Sequence, residues 1–282
     1  MSTSVPDSTL TPPIAERRPV EREFSGVTIS DDYAWLENPR DPEVIAYLGA
    51  ENAYLDEVLA ATGDLRDRLH QELMARVQRT DMHVPVRIGD VFYYIRTETG
   101  RDYDILCRRV GSMDGPEQVL LDLNEMAGDY LRLGSWRPSP DHRYLAYTLN
   151  ETGGIAFDIR ILDMSTGETL PERIPASPWG LTWADTERLV YTAQDDALRS
   201  SAAMLHQLGT EVDSDLLLYR EDDEVFSLNV YSSSDRAYLF LLSGSMDTAE
   251  VRHVPLASPD EGLTLFPPRR QGVIYSLEHW NG

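Results

Sequence analysis

The stretch SPDHRYLAYT, residues 139–148, places turn-forming residues directly before a short apolar and aromatic run. A turn followed by such a run is typical of a β-hairpin whose second strand is buried. Four further runs have the same character, and turn-forming residues precede each of them. They are VFYY from Val91, LVYT from Leu189, LFLL from Leu239 and VIYS from Val273. The chain therefore repeats a unit built on a turn and a strand.

The spacing of these runs predicts the fold class. Successive runs begin 54, 44, 50 and 34 residues apart, and further strands are predicted within each unit. These are residues 103–110 and 157–163, with weaker counterparts at 215–219 and 251–256. A unit of about 40–50 residues with about four short strands is typical of a β-propeller blade. We expect a mainly β protein with an incomplete β-propeller of about four to five blades, the fifth beginning at VIYS.

An α-helical hairpin is predicted before the propeller, between Asp41 and about Thr80. Asp41 can cap the first helix, with Pro42 at its first position and Glu43 near the positive end of its dipole. We expect Gly63 to form the C-terminal cap of this helix and Asp64 the N-terminal cap of the second. Apolar residues follow at helical spacing, namely Val44, Tyr47, Leu48, Leu55, Val58, Leu59, Leu65, Leu69, Leu73 and Val77. The predicted domains are residues 1–80 and 81–282.

The amino-acid composition excludes several classes of partner and of protein. The net charge is −23 and all 25 basic residues are arginine, so we expect neither nucleic acid nor a membrane as a partner. No apolar run reaches 18 residues, and the first residues carry no continuous apolar segment, so a cytoplasmic protein is expected. The single Cys107 excludes an intrachain disulfide framework.

The sequence yields no catalytic, cofactor-binding or metal-binding residues, and no cofactor is expected. Neither G-x-S-x-G nor H-E-x-x-H nor a P-loop occurs, and the serines of residues 242–247 fit a hairpin turn better than a nucleophile. Cys107 is expected to be a buried structural thiol, although Arg108 and Arg109 could lower its pKa. The histidines lack metal spacing and are expected on the surface or in loops; they are His70, His83, His142, His206, His253 and His279.

A series of segments nevertheless resembles the prolyl oligopeptidase family of serine peptidases (peptidase family S9), and within it the oligopeptidase B (protease II) group. The resemblance begins at DDYAWLE, residues 31–37, and covers about Pro12 to the last residue. The other segments, in chain order, are residues 47–59, 103–109, 117–127, 139–153, 158–168, 181–192, 206–210, 214–226, 248–250 and 267–279. Their number and order, more than any one of them, make the resemblance specific.

The resemblance implies a seven-bladed propeller that caps an α/β-hydrolase domain and gates access of short peptides, cleaved after Arg or Lys in the oligopeptidase B group. It implies a serine, aspartate and histidine triad that follows the propeller and is absent from this chain, which is therefore expected to be inactive alone. Residues 1–80 would pack on the hydrolase domain. We therefore expect Trp35 and part of the 44–59 stripe to be unusually exposed.

The sequence departs from the family pattern at three places. The G-x-E-x-Y of the second blade is replaced by residues 153–157, with Ile155 and Phe157 at the Glu and Tyr positions. Ser25-Gly26 stands for a His-Gly pair, and Arg199-Ser200 for an Arg-Pro pair. A polar contact of the blade glutamate is therefore expected to be missing.

Two other functions stay open on sequence grounds. The first is a non-catalytic propeller that binds a partner. The second is a propeller glycosidase in which acidic residues of segments 194–196 and 220–224 form a carboxylate pair. The glycosidase predicts a closed ring of blades and two acidic side chains about 5–10 Å apart in one pocket.

Overall fold

A computed structural model describes residues 10–128 and 130–280. Contacts between Cα atoms divide the chain into two units, residues 1–78 and 79–282. In the part of the chain that the structure describes, no helix is both long and apolar enough to cross a membrane.

The first unit begins with a two-stranded antiparallel hairpin, β1 (Val20–Phe24) and β2 (Val27–Asp31). Ser25 and Gly26 form its two-residue turn with φ of 51° and 81°. Two successive left-handed residues give the turn twist that suits a tight hairpin, and glycine adopts this conformation without steric cost. A 3-10 turn, Ala34–Glu37, follows the hairpin.

The predicted helical hairpin is present as α1 (Pro42–Leu59) and α2 (Gly63–Met74), joined by a 3-10 turn at Ala60–Thr62. The carboxylate of Asp41 accepts the backbone N–H of Glu43 at 2.8 Å and caps α1, as predicted. The prediction for Gly63 is wrong. Its φ is −49°, so it is the first residue of α2 and not a left-handed cap. No left-handed residue is needed at Gly63, because the 3-10 turn at Ala60–Thr62 connects the two helices.

The second unit contains four antiparallel sheets, which we call blades 1 to 4. Blade 1 contains β3 (Asp81–Met82), β4 (Val86–Ile88), β5 (Val91–Thr97), β6 (Ile105–Val110) and β7 (Gln118–Asp122), and the short helix α3 (Leu123–Met126) follows it. Blade 2 contains β8 (Arg132–Pro138), β9 (Tyr144–Asn150), β10 (Phe157–Asp163), β11 (Glu168–Thr169) and β12 (Ile174–Ala176). Blade 3 contains β13 (Leu181–Trp183), β14 (Arg188–Gln194), β15 (Ser200–Gln207) and β16 (Leu216–Arg220), with a 3-10 turn at Val212–Ser214. Blade 4 contains β17 (Ser227–Ser232), β18 (Tyr238–Gly244), β19 (Ala249–Pro255) and β20 (Thr264–Phe266).

Blades 3 and 4 are four-stranded meanders, whereas in blade 1 β3 and β4 both pair with β5, and in blade 2 β11 and β12 both pair with β10. The prediction of an incomplete propeller is confirmed. The first strands of blades 2, 3 and 4 contact one another, which places them on the inner edge of the array. The second strands explain how the blades stack. On β9, Leu145 and Tyr147 pack toward blade 1, while Ala146 between them packs toward blade 3. Alternation of side chains along a strand thus buries both faces of the blade.

Polar contacts also join neighbouring blades. The indole N–H of Trp183 in blade 3 donates to the carbonyl of Arg137 in blade 2 at 2.9 Å. The guanidinium of Arg236 in blade 4 donates to the carbonyl of Trp183 at 2.8 Å. These bonds link side chains of one blade to the backbone of its neighbour and so help to fix how the blades pack.

The turn between the first and second strands has the same structure in blades 2 and 4. In blade 2 the Ser139 hydroxyl donates to the Asp141 carboxylate at 2.6 Å, and in blade 4 Ser233 donates to Asp235 at 2.7 Å. The next residue is left-handed in both turns, with φ of 58° at His142 and 59° at Arg236.

The fifth run, VIYS, forms no strand, so this element of the prediction is wrong. Residues 267–280 run beside blade 4 without joining its ladder. The backbone N–H of Ala249 donates to the Val273 carbonyl at 2.8 Å, and the Tyr231 hydroxyl donates to the Leu277 carbonyl at 3.1 Å. Isolated contacts of this kind hold the segment, since a strand requires a neighbouring ladder.

Candidate functional site

The first unit exposes a large apolar surface. Along α1 and α2 the exposed apolar side chains are Ile45, Leu48, Leu55, Leu65, Leu69 and Leu73, and on the hairpin they are Val20, Phe24, Val27 and Ile29. Single exposed leucines are ordinary, but a series along two consecutive helices is the pattern of an interaction surface. The expectation that part of the 44–59 stripe is exposed is confirmed, although Val44 is buried.

Trp35 is less exposed than we expected. Its indole N–H donates to the Glu16 carbonyl at 2.9 Å, and the Arg18 guanidinium lies 4.6 Å from the ring centroid. Tyr47 of α1 makes an edge contact with the same ring at 6.1 Å. The segment before β1 therefore covers part of this ring, whereas the nearby Tyr33 is exposed.

The acidic segment 220–224 contributes to a network of buried charges centred on Arg269. The Arg269 guanidinium lies 2.7 Å from the Glu221 carboxylate and 3.4 Å from that of Glu250. Both carboxylates are 4% exposed. The Ser243 hydroxyl also donates to Glu221, and Arg252 forms an ion pair with Glu250.

These contacts determine how the two carboxylates ionise. Burial alone raises the pKa of each, but hydrogen bonds outweigh it and the pKa of each lies below its usual range. For Glu221 the donors are Ser243 and Arg269, and for Glu250 the main donor is Arg269. Both residues are therefore anionic at neutral pH. A glycosidase pair needs one protonated carboxyl group and room between the two. Here Arg269 contacts both, so the geometry does not support the glycosidase hypothesis.

The segment 194–196 is a structural turn. The Asp195 carboxylate accepts the Arg199 backbone N–H at 3.0 Å and forms an ion pair with the Arg199 guanidinium at 3.0 Å. Arg199 also donates to the carbonyls of Asp223 and Phe226 at 2.9 and 2.8 Å. Asp195 thus orients an arginine that fixes the connection between blades 3 and 4.

His206 was expected on the surface or in a loop, and this prediction is wrong. It lies on β15 and is fully buried. Its Nδ1 donates to the Asp215 carboxylate at 2.7 Å, and the Tyr191 hydroxyl donates to the other oxygen of Asp215 at 2.8 Å. Burial, with the Asp215 charge adding to it, raises the pKa of Tyr191. Within residues 10–128 and 130–280 no serine hydroxyl lies within hydrogen-bond distance of His206, so this cluster is not a nucleophile triad.

Cys107 is fully buried on β6, as expected. Burial raises the pKa of its thiol to about 11, with the Glu117 charge adding to the effect. The guanidinium of Arg109 points away, to the Tyr94 hydroxyl at 2.8 Å and the Met113 carbonyl at 2.6 Å. The thiol is therefore protonated and inert at neutral pH, and its role is packing.

Ser245 lies in a hairpin turn, as predicted, since β18 ends at Gly244 and β19 begins at Ala249, whereas Ser243 lies on β18 itself. The Ser245 and Thr248 backbones bond across this turn at 2.8 Å. At the altered family position of blade 2, Ile155 is 60% exposed and Phe157 is buried. Neither side chain can make the polar contact that a glutamate would make.

Comparison with known proteins accounts for this architecture. Residues 12–282 match the family model for the prolyl oligopeptidase N-terminal β-propeller domain. Protease 2 of Moraxella lacunata is 35% identical, the match covering 95% of this chain and 40% of the relative. Dipeptidyl aminopeptidase BI of Pseudoxanthomonas mexicana is 34% identical, with 98% and 41% covered. The chain thus spans about two fifths of the length of these relatives.

Solved structures show the same likeness. Oligopeptidase B from Leishmania major superimposes with a TM-score of 0.88 at 26% identity, covering 96% of this chain and 41% of that one. Oligopeptidase B from Trypanosoma brucei, with covalently bound antipain, gives a TM-score of 0.87 at 26% identity, with the same coverage. The four blades and the helical hairpin are therefore the fold shared with these enzymes, and the chain belongs to the prolyl oligopeptidase N-terminal β-propeller family.

Proposed function

We propose that this chain is the N-terminal propeller region of an oligopeptidase B-like serine peptidase that hydrolyses short peptides after Arg or Lys. In this proposal the propeller gates substrate access, and an α/β-hydrolase region supplies the catalytic serine, aspartate and histidine. The observation that carries it is the family match over residues 12–282 together with the extent of the relatives, whose length is well over twice that of this chain.

The exposed surface of the first unit supports the proposal. The apolar faces of α1 and α2 would lose their exposure to water on packing against a hydrolase domain, and burial of each leucine contributes about 1.5–3 kcal/mol. We therefore propose that residues 1–80 form the docking region. We also propose a cytoplasmic location, which the single buried thiol supports because reducing compartments favour free cysteines.

The proposal is tested by supplying the second region as a separate polypeptide. The chain is mixed with the part of Moraxella lacunata Protease 2 that lies beyond the matched region. Hydrolysis of a peptidyl-arginine amide is then followed against the concentration of this chain. We expect hydrolysis in the mixture only, and a lower rate for a Leu69→Glu variant, in which a charge replaces an exposed leucine of α2.

The chain alone is then treated with a fluorophosphonate probe for activated serines. We expect no labelling, because no serine hydroxyl in the described part of the chain is hydrogen-bonded to a histidine ring. Stoichiometric labelling of one serine in this chain would refute the assignment of catalysis to a second region.

A non-catalytic binding module is the second candidate. The observation that favours it is that buried apolar cores form between the blades within this chain. The mixing experiment separates the two candidates, since a binding module binds peptides but confers no hydrolysis on the second polypeptide.

A further inference from the structure

One end of blades 2 to 4 differs from the other in its exposed side chains. We call this end the loop face. It comprises the described residues of the six loops that join second to third strands and that join one blade to the next: residues 127–128, 130–131, 151–156, 177–180, 195–199, 221–226 and 245–248. In a meander both kinds of loop lie at the same end of the sheet, because successive strands are antiparallel.

Each of the six loops exposes one large apolar side chain among its described residues. The six residues are Tyr130, Ile155, Trp179, Leu198, Val225 and Met246. At the opposite end of blades 2 to 4, none of the described loop residues is a large exposed hydrophobic. The opposite loops expose polar side chains to water, whereas the loop face is apolar at one position per loop. Such an asymmetry indicates an interaction surface.

Trp179 is exposed although the turn that carries it is fixed. The Thr192 hydroxyl donates to the Trp179 carbonyl at 2.8 Å, and the Ser135 N–H donates to the Pro178 carbonyl at 3.2 Å. Gly180, with φ of 75°, packs so closely against Thr192 that no other residue fits without a shift. The indole of Trp179 is 58% exposed and its N–H meets no acceptor within the described chain. A large, exposed aromatic ring on a turn with a fixed backbone is typical of a binding contact.

Val225 lies on a second fixed turn, held by the Asp223 carboxylate at 3.1 Å and by the bonds of Arg199 to neighbouring carbonyls. Beside it is a cavity of about 370 Å³ that opens between two loops of the loop face and the segment after β20. The cavity is lined by Val225, Phe226, Ser245, Asp247, Thr248, Arg269 and Gln271. The loop face therefore has both a flat aromatic contact and a cleft that can admit a side chain.

The charge of the loop face restricts the kind of partner that can bind there. Among the described residues of the loop face, four carboxylates have no ion-pair partner: Asp196, Asp222, Glu224 and Asp247. The only arginine of the six loops is Arg199, which is bound to Asp195 and to carbonyls. A partner that carries apolar and cationic side chains is therefore favoured, and an acidic one is repelled.

We infer that the loop face binds extended peptides through their apolar side chains, with Trp179 and Val225 as the main contacts and the free carboxylates favouring peptides that also carry arginine. This rests on the proposed function in that the ligand is a peptide. The inference adds a requirement for apolar residues that is independent of the cleaved bond.

The test uses the 282-residue chain and fluorescein-labelled peptides of twelve residues, measured by fluorescence anisotropy. One peptide repeats Gly-Arg-Phe-Gly-Arg-Leu, and its control replaces every Phe and Leu by Ser at the same charge. We expect the control to bind about tenfold more weakly or worse. Equal binding of the two peptides would leave charge alone as the cause and overturn the inference.

Matched variants locate the site. Trp179→Ser is compared with Trp280→Ser, since both tryptophans are exposed but Trp280 lies outside the loop face. Val225→Ser is compared with Val110→Ser, a similarly exposed valine at the end of β6. We expect the loop-face variants to raise Kd about fivefold or more, as loss of an aromatic or aliphatic anchor does. The controls should stay within twofold, and circular dichroism confirms that each variant is folded.

Two results would contradict the inference. If the variants and their controls weaken binding equally, the loop face is not the site. If Trp179→Ser abolishes hydrolysis in the mixture but leaves the peptide Kd within twofold, the loop face contacts the second region instead. Absence of hydrolysis in every mixture would refute the proposed function alone, because the peptide titration does not use the second polypeptide.

Discussion

The guanidinium of Arg269 lies 2.7 Å from the carboxylate of Glu221, a residue 48 positions earlier in the chain. Glu221 follows the last strand of blade 3, and Arg269 follows the last strand of blade 4. The same guanidinium lies over the Phe226 ring at 3.9 Å and bonds to Glu250. One side chain therefore ties the ends of two blades together, and its contacts yield a direct prediction.

Replacement of Arg269 by Met should destabilise the chain by about 3 kcal/mol at pH 7, because it leaves two buried carboxylates without their shared partner. Urea unfolding followed by circular dichroism measures the loss. Arg270→Met is the matched control, since Arg270 is exposed and makes no ion pair within the described residues. A loss below about 0.5 kcal/mol for Arg269→Met would show that the network contributes nothing net, as exposed pairs often do.

The stability of the chain should fall as the pH is lowered below about 4.5. Glu221 and Glu250 have folded-state pKa values below their ordinary 4.5. A carboxyl group with a lowered pKa stabilises the folded state above its unfolded pKa, and this contribution is lost as the pH falls through the folded value. Urea midpoints between pH 7 and pH 3 should decline in this window, and less steeply for the double variant Glu221→Gln, Glu250→Gln. Equal slopes for wild type and variant would assign the decline to other carboxylates.

Tyr191→Phe should cost about 1 kcal/mol, since it removes one hydrogen bond to Asp215 and leaves the carboxylate bound to His206. Asp215→Ala should cost about 2–3 kcal/mol, because it leaves two buried polar groups without an acceptor. Asp213→Ala, at an exposed position two residues earlier, serves as the control and should stay within about 0.5 kcal/mol. Thermal unfolding ranks the three variants, and Tyr191→Phe more damaging than Asp215→Ala would contradict the assigned contacts.

Gly180→Ala and Gly209→Ala should separate two costs of replacing a left-handed glycine. Both have positive φ, 75° and 81°, so each alanine pays a conformational penalty of about 1 kcal/mol. At Gly180 the added Cβ also lies 2.6 Å from the Thr192 hydroxyl, whereas at Gly209 nothing lies within 4 Å. Gly180→Ala should therefore lower the free energy of unfolding by roughly twice as much or more. Equal losses would mean that Thr192 can move aside.

Cys107 should not react with a disulfide reagent such as DTNB in the folded chain at pH 8. Burial and a thiol pKa of about 11 both keep the reactive thiolate scarce. Absorbance at 412 nm should rise only when urea unfolds the chain, with the same midpoint as the circular dichroism signal. Rapid reaction without denaturant would show that β6 opens locally.

Local patterns were sufficient to predict most of the blades. The runs at Val91, Leu145, Leu189 and Leu239 lie in β5, β9, β14 and β18, because a turn followed by alternating burial is a short-range signal. We predicted that VIYS is a further strand of the same kind, and this prediction was wrong. Leu145 is 36 residues before the start of β13, and Leu189 is 38 residues before β17. The 34-residue interval to Val273 therefore fits the first strand of a following unit, a distinction that the strand pattern alone does not make.

The charged and polar clusters were beyond sequence reasoning for another reason. The partners of Arg269 lie 48 and 19 residues away, and no spacing rule links such positions. His206 offered a signal that was missed. It stands two residues after the apolar Met204, and on a strand such as β15 alternation places both side chains on one face. The loop face likewise emerged only when strand order showed which loops share an end.

The turn that occurs in both blade 2 and blade 4 contributes to the contact of each blade with the preceding one. In both turns the serine hydroxyl donates to the aspartate, so the same hairpin forms in both blades, although Asp235 also contacts His279 at 2.7 Å. The left-handed residue that follows the aspartate differs: His142 contacts the Tyr93 hydroxyl of blade 1 at 2.9 Å, and Arg236 contacts the Trp183 carbonyl of blade 3. Duplicated units could thus keep a common hairpin while a single position diverged to recognise its own neighbour. That position therefore carries the polar contact to the preceding blade, and exchanging His142 and Arg236 would leave both hairpins intact while removing the contacts to blades 1 and 3.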